Sequence, residues 1–247
     1  MRTIRIYQAG QYQVGDIITL LPQASMHVSV VLRMQLGDDV TLFNGANQEC
    51  QASLVFINKK SVRVRIETSQ LMSRESPLVV HLAPGIIKGE GMEWLIQKAV
   101  ELGVNSISPL LTQHSAVKQD PGRLAKKHLQ WQAIAISACE QSGRNTLPCI
   151  HAPVSLSDYL QQQRRGVPCV LEPNATHAWR TLLQSPSHQD ASEWHVLVGP
   201  EGGWHANEIE QMLHANFQSF HLGPRILRAE TASVAALSVL QVMRGDL

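Results

Sequence analysis

Three segments in the second half of the chain combine glycines with charged side chains in patterns that suit ligand binding. Gly199-Pro200-Glu201-Gly202-Gly203 surrounds one carboxylate with residues that expose backbone N–H groups and allow a ligand to approach closely. The segment 222–232, LGPRILRAETA, places two arginines around an apolar pair, which suits an anion. The segment 140–145, EQSGRN, clusters polar groups. The same three patterns also occur in a tight turn, in surface charge and at a solvated helix end, respectively. Residue type alone therefore does not distinguish a binding site from these structural explanations.

Several familiar chemistries lack their sequence motifs. No G-x-G-x-x-G opens a helix after the first strand and no G-x-x-x-x-G-K-[ST] occurs, which disfavours the common NAD and nucleoside triphosphate enzymes. No G-x-S-x-G elbow points to a hydrolase. The four cysteines form no C-x-x-C pair, and the 11 histidines form no H-E-x-x-H pattern. We therefore expect neither a disulfide framework nor a metal site.

The first 70 residues have the pattern of a small antiparallel β-barrel. Turn residues separate short apolar runs, and Val62-Arg63-Val64-Arg65-Ile66 alternates strictly between apolar and basic side chains. The expected strands are residues 16–21, 28–34, 39–43, 52–57 and 61–67. Residues 70–77, which are polar and end in proline, are the candidate linker.

Beyond the linker, strands alternate with helices. Apolar residues at helical spacing predict a helix over residues 92–102 that stops at Gly103. Asp120-Pro121 predicts the start of a second helix that ends before Gly143, and Thr231 is the expected N-cap of a third over residues 232–243. The expected strands are residues 78–82, 104–111, 168–171 and 195–198. This order implies a mostly parallel sheet, whose strand ends bind ligands.

Chain length and net charge limit the classes of protein to which this sequence can belong. The 247 residues suffice for one large domain or two smaller ones, and 44% of them are hydrophobic. The net charge is only +1, so any contact with nucleic acid must use a local basic patch. No apolar stretch reaches the roughly 18 residues of a spanning helix, and no secretory signal opens the chain. We expect a cytoplasmic protein without membrane contact.

Several motifs together resemble the family of 16S ribosomal RNA (uracil-N3) methyltransferases of the SPOUT superfamily. In the second half they are QKAVELGV (97–104), ACEQSGRNTLPCI (138–150), LVGPEGG (197–203) and LGPRILRAETA (222–232). The front contributes RIY (5–7), VLRM (31–34), LFNG (42–45), KKSV (59–62) and RESPL (74–78). The resemblance implies an α/β fold in which a small PUA-like, RNA-binding β-barrel over residues 1–72 precedes a SPOUT methyltransferase domain over residues 73–247. That second domain would carry a parallel sheet with a trefoil knot.

The resemblance also implies S-adenosylmethionine as cofactor and a homodimer, for which the small-residue helix 232–243 is a candidate contact. It places the cofactor in three loops of the knot, formed by Leu171, Glu172, Gly199, Pro200, Glu201, Gly202, Leu222, Gly223, Ile226, Leu227 and Thr231. Many relatives have arginine at the position of His114, so an RNA contact there is not carried over.

The implied reaction needs an activated nucleophile. N3 of neutral uracil bears a proton, so that proton must leave and the resulting anion must be stabilised. We expect Arg228 to stabilise the anion, and Arg144 or Arg225 to bind a phosphate. Glu201 or Glu230 would receive the proton, and the target base must leave its stack to reach the pocket.

Basic side chains are the candidates for contacts with 16S rRNA, either free or in the assembled small ribosomal subunit. They are Arg2, Arg5, Arg33, Lys59, Lys60, Arg63, Arg65 and Arg225. Two alternatives stay open from the sequence: a non-catalytic rRNA-binding assembly protein, and a SPOUT methyltransferase that acts on another RNA.

Overall fold

A computed structural model describes residues 4–115 and 120–247 of the chain. The strands are β1 (Ile4–Tyr7), β2 (Ile17–Thr19), β3 (Asp39–Phe43), β4 (Gln48–Ile57), β5 (Val62–Leu71), β6 (Val79–Pro84), β7 (Ser106–Ile107), β8 (Leu110–Leu111), β9 (Cys149–Ile150), β10 (Val154–Ser155), β11 (Val167–Leu171), β12 (His177–Ala178), β13 (Glu193–Val198) and β14 (Gln218–His221). The α-helices are α1 (Pro22–Met26), α2 (Gly91–Glu101), α3 (Pro121–Ser142), α4 (Leu156–Gln161), α5 (Trp179–Gln184), α6 (Ala206–His214) and α7 (Ala229–Arg244).

The first of two compact units is built from the chain up to Glu75 together with Ile136–Leu147. Its mixed sheet has the order β1-β3-β4-β5-β2, in which only β1 and β3 pair in parallel. Strict alternation along β5 buries Val62, Val64 and Ile66 and exposes Arg63 and Arg65. The predicted small, largely antiparallel β-unit is therefore present, with its apolar side chains gathered in one core.

The expected strand over residues 28–34 is wrong. The chain there forms a π-helical turn, His27–Val31, directly after α1. Pro22 has the fixed φ angle that suits the first turn of a helix, and the Ser25 hydroxyl donates to the carbonyl of Leu20 at 3.0 Å. A short apolar run does not distinguish a strand from a helix, and here the helix buries Val28.

The second compact unit comprises Ser76–Ala135 and Pro148–Leu247. Its sheet has the order β12-β14-β11-β13-β6-β7-β9, and every neighbouring pair is parallel. α4 and α6 contribute Tyr159 and Met212 to a core against Val170 and Leu197 of the sheet. α2 packs against α7, and α7 contacts β6 and β13. The predicted alternation of strands and helices thus yields the predicted parallel sheet.

The predicted fold class is confirmed, and most element positions agree with it. α2 ends just before Gly103, whose φ of +81° suits glycine, and α3 begins at Asp120-Pro121 as expected. The division at residue 72 stays our proposal for the domains. The trefoil knot also stays a prediction, because strand order does not record how the chain threads its loops. In the part of the chain that the structure describes, no helix is both long and apolar enough to cross a membrane.

Candidate functional site

Three neighbouring strands of the parallel sheet end at one edge. In the register of the sheet, Leu171 at the end of β11 lies beside Val198 at the end of β13 and beside Phe220 of β14. The segments that follow these strands therefore emerge side by side. They are the two segments that the sequence analysis singled out, 199–203 and 222–232, and the one that starts at Glu172.

These segments surround a cavity of about 260 Å³. From the predicted cofactor set it is lined by Leu171, Glu172, Gly199, Pro200, Glu201, Leu222, Gly223, Ile226 and Leu227. Nine further residues line the cavity that were not predicted as cofactor contacts: Pro173, Val198, Gly203, Trp204, Phe220, Arg225, Arg228, Ala229 and Ala232. Among the described residues, Gly202, Thr231 and Glu230 stand outside this lining.

The lining is mostly apolar, with a few charged groups. Leucine, isoleucine and aromatic side chains form the walls, and Ile226 is 85% exposed, so this wall faces the open side. Arg225 and Arg228 are exposed cations at the cavity, and Glu172 and Glu201 are the carboxylates. An apolar cavity with a few converging polar groups is typical of a site for an organic ligand that has both a flat apolar part and charged parts.

Close backbone contacts fix the loop 199–203. The N–H of Gly203 donates to the carbonyl of Pro200 at 2.8 Å, and the φ of Gly203 is +68°. A Cβ on Gly85 would lie 2.5 Å from Cδ of Pro200, so only glycine fits beside the loop. The Glu201 carboxylate accepts a hydrogen bond from the backbone N–H of Lys88 at 2.9 Å. These contacts therefore hold the loop from both its backbone and its carboxylate.

His114, for which the family resemblance carried over no RNA contact, lies against the same loop. Its Nδ1 is 3.2 Å from the carbonyl oxygen of Gly203, and a Cβ on Gly202 would lie 2.9 Å from Cβ of His114. The rings of His114 and His205 meet edge to face with centroids 5.9 Å apart. The side chain of His114 thus supports the loop from outside the cavity lining.

Trp204 is the main residue of this site that the sequence analysis missed. Its indole Nε1–H donates to the carbonyl of Leu171 at 3.1 Å, so it joins the 199–203 loop to the end of β11. The tryptophan directly follows Gly202-Gly203, and an aromatic residue after a glycine pair is the only signal that could have pointed to it. Its partner is a backbone group distant in sequence, which no local pattern reveals.

The start of α7 differs from the prediction. Arg228 occupies the N-cap position, with extended φ and ψ angles, and the helix begins at Ala229. The expected cap at Thr231 is therefore wrong; Thr231 lies in the first turn, because the apolar pair before Arg228 ends the loop earlier than expected. Glu230 is also in this first turn and partly buried. The helix buries Ser233 and Ala236 within its own unit, so these small residues serve packing there.

Arg144 lies in the first unit and forms an ion pair. The residue is 5% exposed, and its guanidinium pairs with Glu75. Nearby, Glu140 accepts a hydrogen bond from the backbone N–H of Tyr7 at 3.1 Å, and burial raises the pKa of Glu140. The structure thus gives the polar segment 140–145 defined partners inside the first unit, and the role of Arg144 toward phosphate stays a prediction.

Four of the predicted RNA contacts lie on one hairpin. Lys59 and Lys60 are exposed in the turn between β4 and β5, where Asn58 Oδ1 accepts the N–H of Lys60 at 2.8 Å. Arg63 and Arg65 follow on the exposed face of β5, and the Arg63 guanidinium lies 4.6 Å from the centroid of Phe56. This hairpin therefore presents a compact basic surface.

The other predicted contacts are placed differently. Arg33 is exposed, with a φ of +53°. Arg5 is engaged: it pairs with Glu49 at 2.7 Å and donates to Asn145 Oδ1 at 2.6 Å. Arg2 lies outside the described residues. Arg225 lines the cavity of the second unit.

Comparison with protein families gives two matches. Residues 74–241 match the model of an RNA methyltransferase domain, and residues 30–67 match that of an RNA methyltransferase PUA domain. The chain is 35% identical, over 100% of its length and 98% of the relative, to the ribosomal RNA small subunit methyltransferase E of Buchnera aphidicola subsp. Schizaphis graminum.

Solved structures give a consistent result. A Legionella pneumophila protein named as a methyltransferase, whose structure holds the bound cofactor SAM, is 46% identical with a TM-score of 0.94 over 100% of both chains. The ribosomal RNA small subunit methyltransferase E of Neisseria gonorrhoeae, solved with S-adenosyl methionine, is 33% identical with a TM-score of 0.90 over 100% of both chains.

Proposed function

The chain belongs to the RNA methyltransferase family that includes ribosomal RNA small subunit methyltransferase E, and we propose that it methylates N3 of a specific uridine in 16S rRNA, with S-adenosylmethionine as the donor. This membership bears out the family resemblance and the enzyme class inferred from the motifs. The single observation that carries the proposal for this chain's own site is the cavity at the ends of β11, β13 and β14, with two arginines and two glutamates on a mostly apolar lining.

The cavity fits the cofactor chemically. Leu222, Ile226 and Leu227 offer apolar surface for an adenine ring, and Gly199 and Gly223 leave backbone groups accessible to its polar edges. The carboxylate of Glu172 suits the ammonium or hydroxyl groups of such a ligand. When bound, S-adenosylmethionine supplies a methyl group on a positively charged sulfur.

The side chains at the cavity suit the activation of uracil. Arg228 is exposed at the lining, where its guanidinium can stabilise the negative charge that spreads over O2 and O4 when N3 loses its proton. Glu201 lines the cavity and is the stronger candidate to receive that proton, because Glu230 stands outside the lining. Arg225 is exposed at the cavity, where it can meet a backbone phosphate of the extruded nucleotide.

The partners follow from the same proposal. The substrate is 16S rRNA, free or in the assembled small subunit, and the basic hairpin of Lys59, Lys60, Arg63 and Arg65 meets its phosphates. The protein acts in the cytoplasm as a homodimer. Exposed apolar residues on α7, Val242 and Met243, support that helix as the dimer contact.

The test combines cofactor binding with mapping of the product. We expect calorimetry to show one S-adenosylmethionine per chain, and small subunits from a strain that lacks the gene to gain one 3-methyluridine in 16S rRNA. The Arg228→Ala variant should keep cofactor affinity and lose most of the rate. Methylation of a ribose would identify an enzyme acting on another position. RNA binding without any cofactor binding would identify a non-catalytic assembly protein.

A further inference from the structure

Three metal-ligating side chains meet on the two central strands of the parallel sheet, away from the cavity. His81 of β6 lies directly beside His195 of β13 in the register of the sheet. Their imidazole rings stack, with centroids 4.6 Å apart and an interplanar angle of 20°. Glu193, at the start of β13, extends its carboxylate toward both rings.

The distances between the ligand atoms suit a single cation. Oε1 of Glu193 lies 3.3 Å from Nε2 of His81 and 3.6 Å from Nε2 of His195. Ligand atoms of the three residues lie within 4.8 Å of one another. Zinc bonds to nitrogen and oxygen are about 2.0–2.2 Å long, so ligands of a tetrahedral site lie about 3.3–3.5 Å apart. The two distances to the carboxylate already fall in or near that range, and the imidazole rings must rotate so that both Nε2 atoms point at the same ion.

The two imidazoles differ in their hydrogen-bond partners. Nδ1 of His81 is 2.7 Å from Oγ of Ser106, which can fix the ring so that Nε2 faces Glu193. His195 is 8% exposed, and among the described residues neither of its ring nitrogens has a well-formed hydrogen bond, although the backbone of Arg165 lies near the ring. A buried polar atom without a partner calls for an explanation, and an ion is one.

Charge and access are compatible with a cation. The carboxylate of Glu193 adds a negative charge beside the two imidazoles. The side chains of His81 and Glu193 are 26% and 31% exposed, which leaves a path for an ion and a water ligand. The guanidinium of Arg164 lies over the rings of Tyr159 and Phe217, and its positive charge reaches His195, which the carboxylate of Glu193 offsets.

We propose that His81, Glu193 and His195 bind one divalent first-row transition-metal ion, preferentially Zn²⁺, which bridges β6 and β13. Two imidazoles and one carboxylate are a ligand set that Zn²⁺ accepts, and a water molecule completes the tetrahedron. Local sequence motifs predicted no metal site, because these three ligands meet only through the pairing of β6 with β13. The site is separate from the cavity, because Glu193 and His195 lie five and three residues before Val198 on β13, which is about 16 Å and about 10 Å at the rise of a strand.

The test uses full-length, tag-free protein that has been treated with a chelator. We expect calorimetry to show one Zn²⁺ per chain, and Co²⁺ to give the intense visible absorption of a four-coordinate site. Zn²⁺ should raise the melting temperature of this protein, because it binds the folded state. His81→Gln and Glu193→Gln should each weaken Zn²⁺ binding by more than the roughly 10–100-fold that loss of an outer-shell partner costs, and Ser106→Ala by about tenfold.

His214→Gln, an exposed histidine at the end of α6, is the matched control and should change nothing. All variants are checked for native circular dichroism and for unchanged affinity for S-adenosylmethionine, so loss of the fold cannot imitate loss of the metal. The proposal is overturned if the wild type binds no stoichiometric Zn²⁺, or if His81→Gln and Glu193→Gln bind it as tightly as the wild type does.

Discussion

Nε1–H of Trp204 donates a hydrogen bond to the carbonyl oxygen of Leu171 at 3.1 Å. One residue belongs to the segment after β13 and the other ends β11, so this bond ties two of the three loops of the cavity to each other. The indole also lies 3.2 Å from the position that a Cβ on Gly199 would take. Trp204 therefore sets the spacing of the loops as well as contributing an apolar wall.

Trp204→Phe should weaken cofactor binding without unfolding the protein. The phenyl ring keeps most of the apolar surface but cannot donate to Leu171, and a lost neutral hydrogen bond costs about 1 kcal/mol, or about fivefold in affinity. Calorimetric titration with S-adenosylmethionine measures the change. Trp94→Phe, at a side chain that is 44% exposed on α2, is the control and should bind normally. Equal affinities for wild type and Trp204→Phe would contradict the positioning role.

Gly85→Ala should disturb the same loop from the other side. The new methyl carbon would lie 2.5 Å from Cδ and 2.8 Å from the backbone nitrogen of Pro200, and neither atom can move without shifting the loop. Overpacking of this kind costs about 1–3 kcal/mol, so we expect a lower melting temperature and about tenfold weaker cofactor binding. Gly122→Ala, whose Cβ meets nothing closer than 3.4 Å, should be neutral or slightly stabilising. A normal Gly85→Ala protein would show that the loop relaxes freely.

Local periodicity predicted the parts of the fold that depend on neighbours in sequence. The alternation in β5 and the stripe of α2 both follow from side chains two, three or four positions apart. The errors occur where a short pattern fits two structures: the apolar run at 28–34 fits a strand or a helical turn, and both Arg228 and Thr231 precede helical residues. The resemblance to a family, not periodicity, predicted the loops of the cavity.

The remaining features of the fold and the site depend on contacts between residues that are distant in sequence, and local sequence patterns do not predict these contacts. From the sequence, Arg144 was predicted to bind a phosphate, yet in the structure its guanidinium forms an ion pair with Glu75 of the linker segment. Trp204 donates to the carbonyl of Leu171, and His81 lies beside His195, because the parallel sheet brings the strands of each pair together. Such contacts depend on strand order, which no local pattern contains.

Two substitutions distinguish the two roles of Glu201, which are to accept the proton of N3 and to hold the loop through the N–H of Lys88. Gln keeps an oxygen that can accept the N–H of Lys88 but cannot take a proton, whereas Ala loses both functions. We expect Glu201→Gln to bind S-adenosylmethionine within about twofold of the wild type and to methylate about 10²–10⁴-fold more slowly, because positioned proton transfer contributes that much. Its rate should rise with pH as hydroxide replaces the missing base. Glu201→Ala should also bind the cofactor less tightly. A fully active Glu201→Gln would restrict this residue to holding the loop.

Charge reversal at Lys59 and Lys60 should act on RNA alone. Both are exposed in the turn of the basic hairpin, and each contact with a phosphate contributes about one unit to the slope of log K against log salt. We expect Lys59→Glu/Lys60→Glu to weaken rRNA binding and reduce that slope by about two, with unchanged affinity for S-adenosylmethionine. Arg123→Glu/Lys126→Glu, an exposed pair on α3, carries the same charge change as a control. Loss of cofactor binding in step with RNA binding would indicate general damage.

Glu49 should make the first unit sensitive to acid. Burial alone would raise the pKa of this carboxyl, but hydrogen bonds from Arg74, Arg5 and Asn145 outweigh it and lower the pKa to about 2, from an ordinary 4.5. A carboxyl whose pKa is lower in the folded state stabilises the protein above its unfolded value, and that contribution is lost as the pH falls. The contribution of about 3 kcal/mol should therefore be complete at pH 7 and fade from about pH 4.5 toward 2.

Glu49→Gln isolates this contribution, since all other carboxyl groups cancel in the comparison with the wild type. Denaturant unfolding at a series of pH values should show the variant less stable at neutral pH, with a difference that shrinks as the wild-type carboxylate becomes protonated. Glu67→Gln, an exposed carboxyl on β5, should show little difference at any pH. A Glu49→Gln deficit that is the same at pH 7 and pH 3 would mean that packing around residue 49, rather than its charge, stabilises the unit.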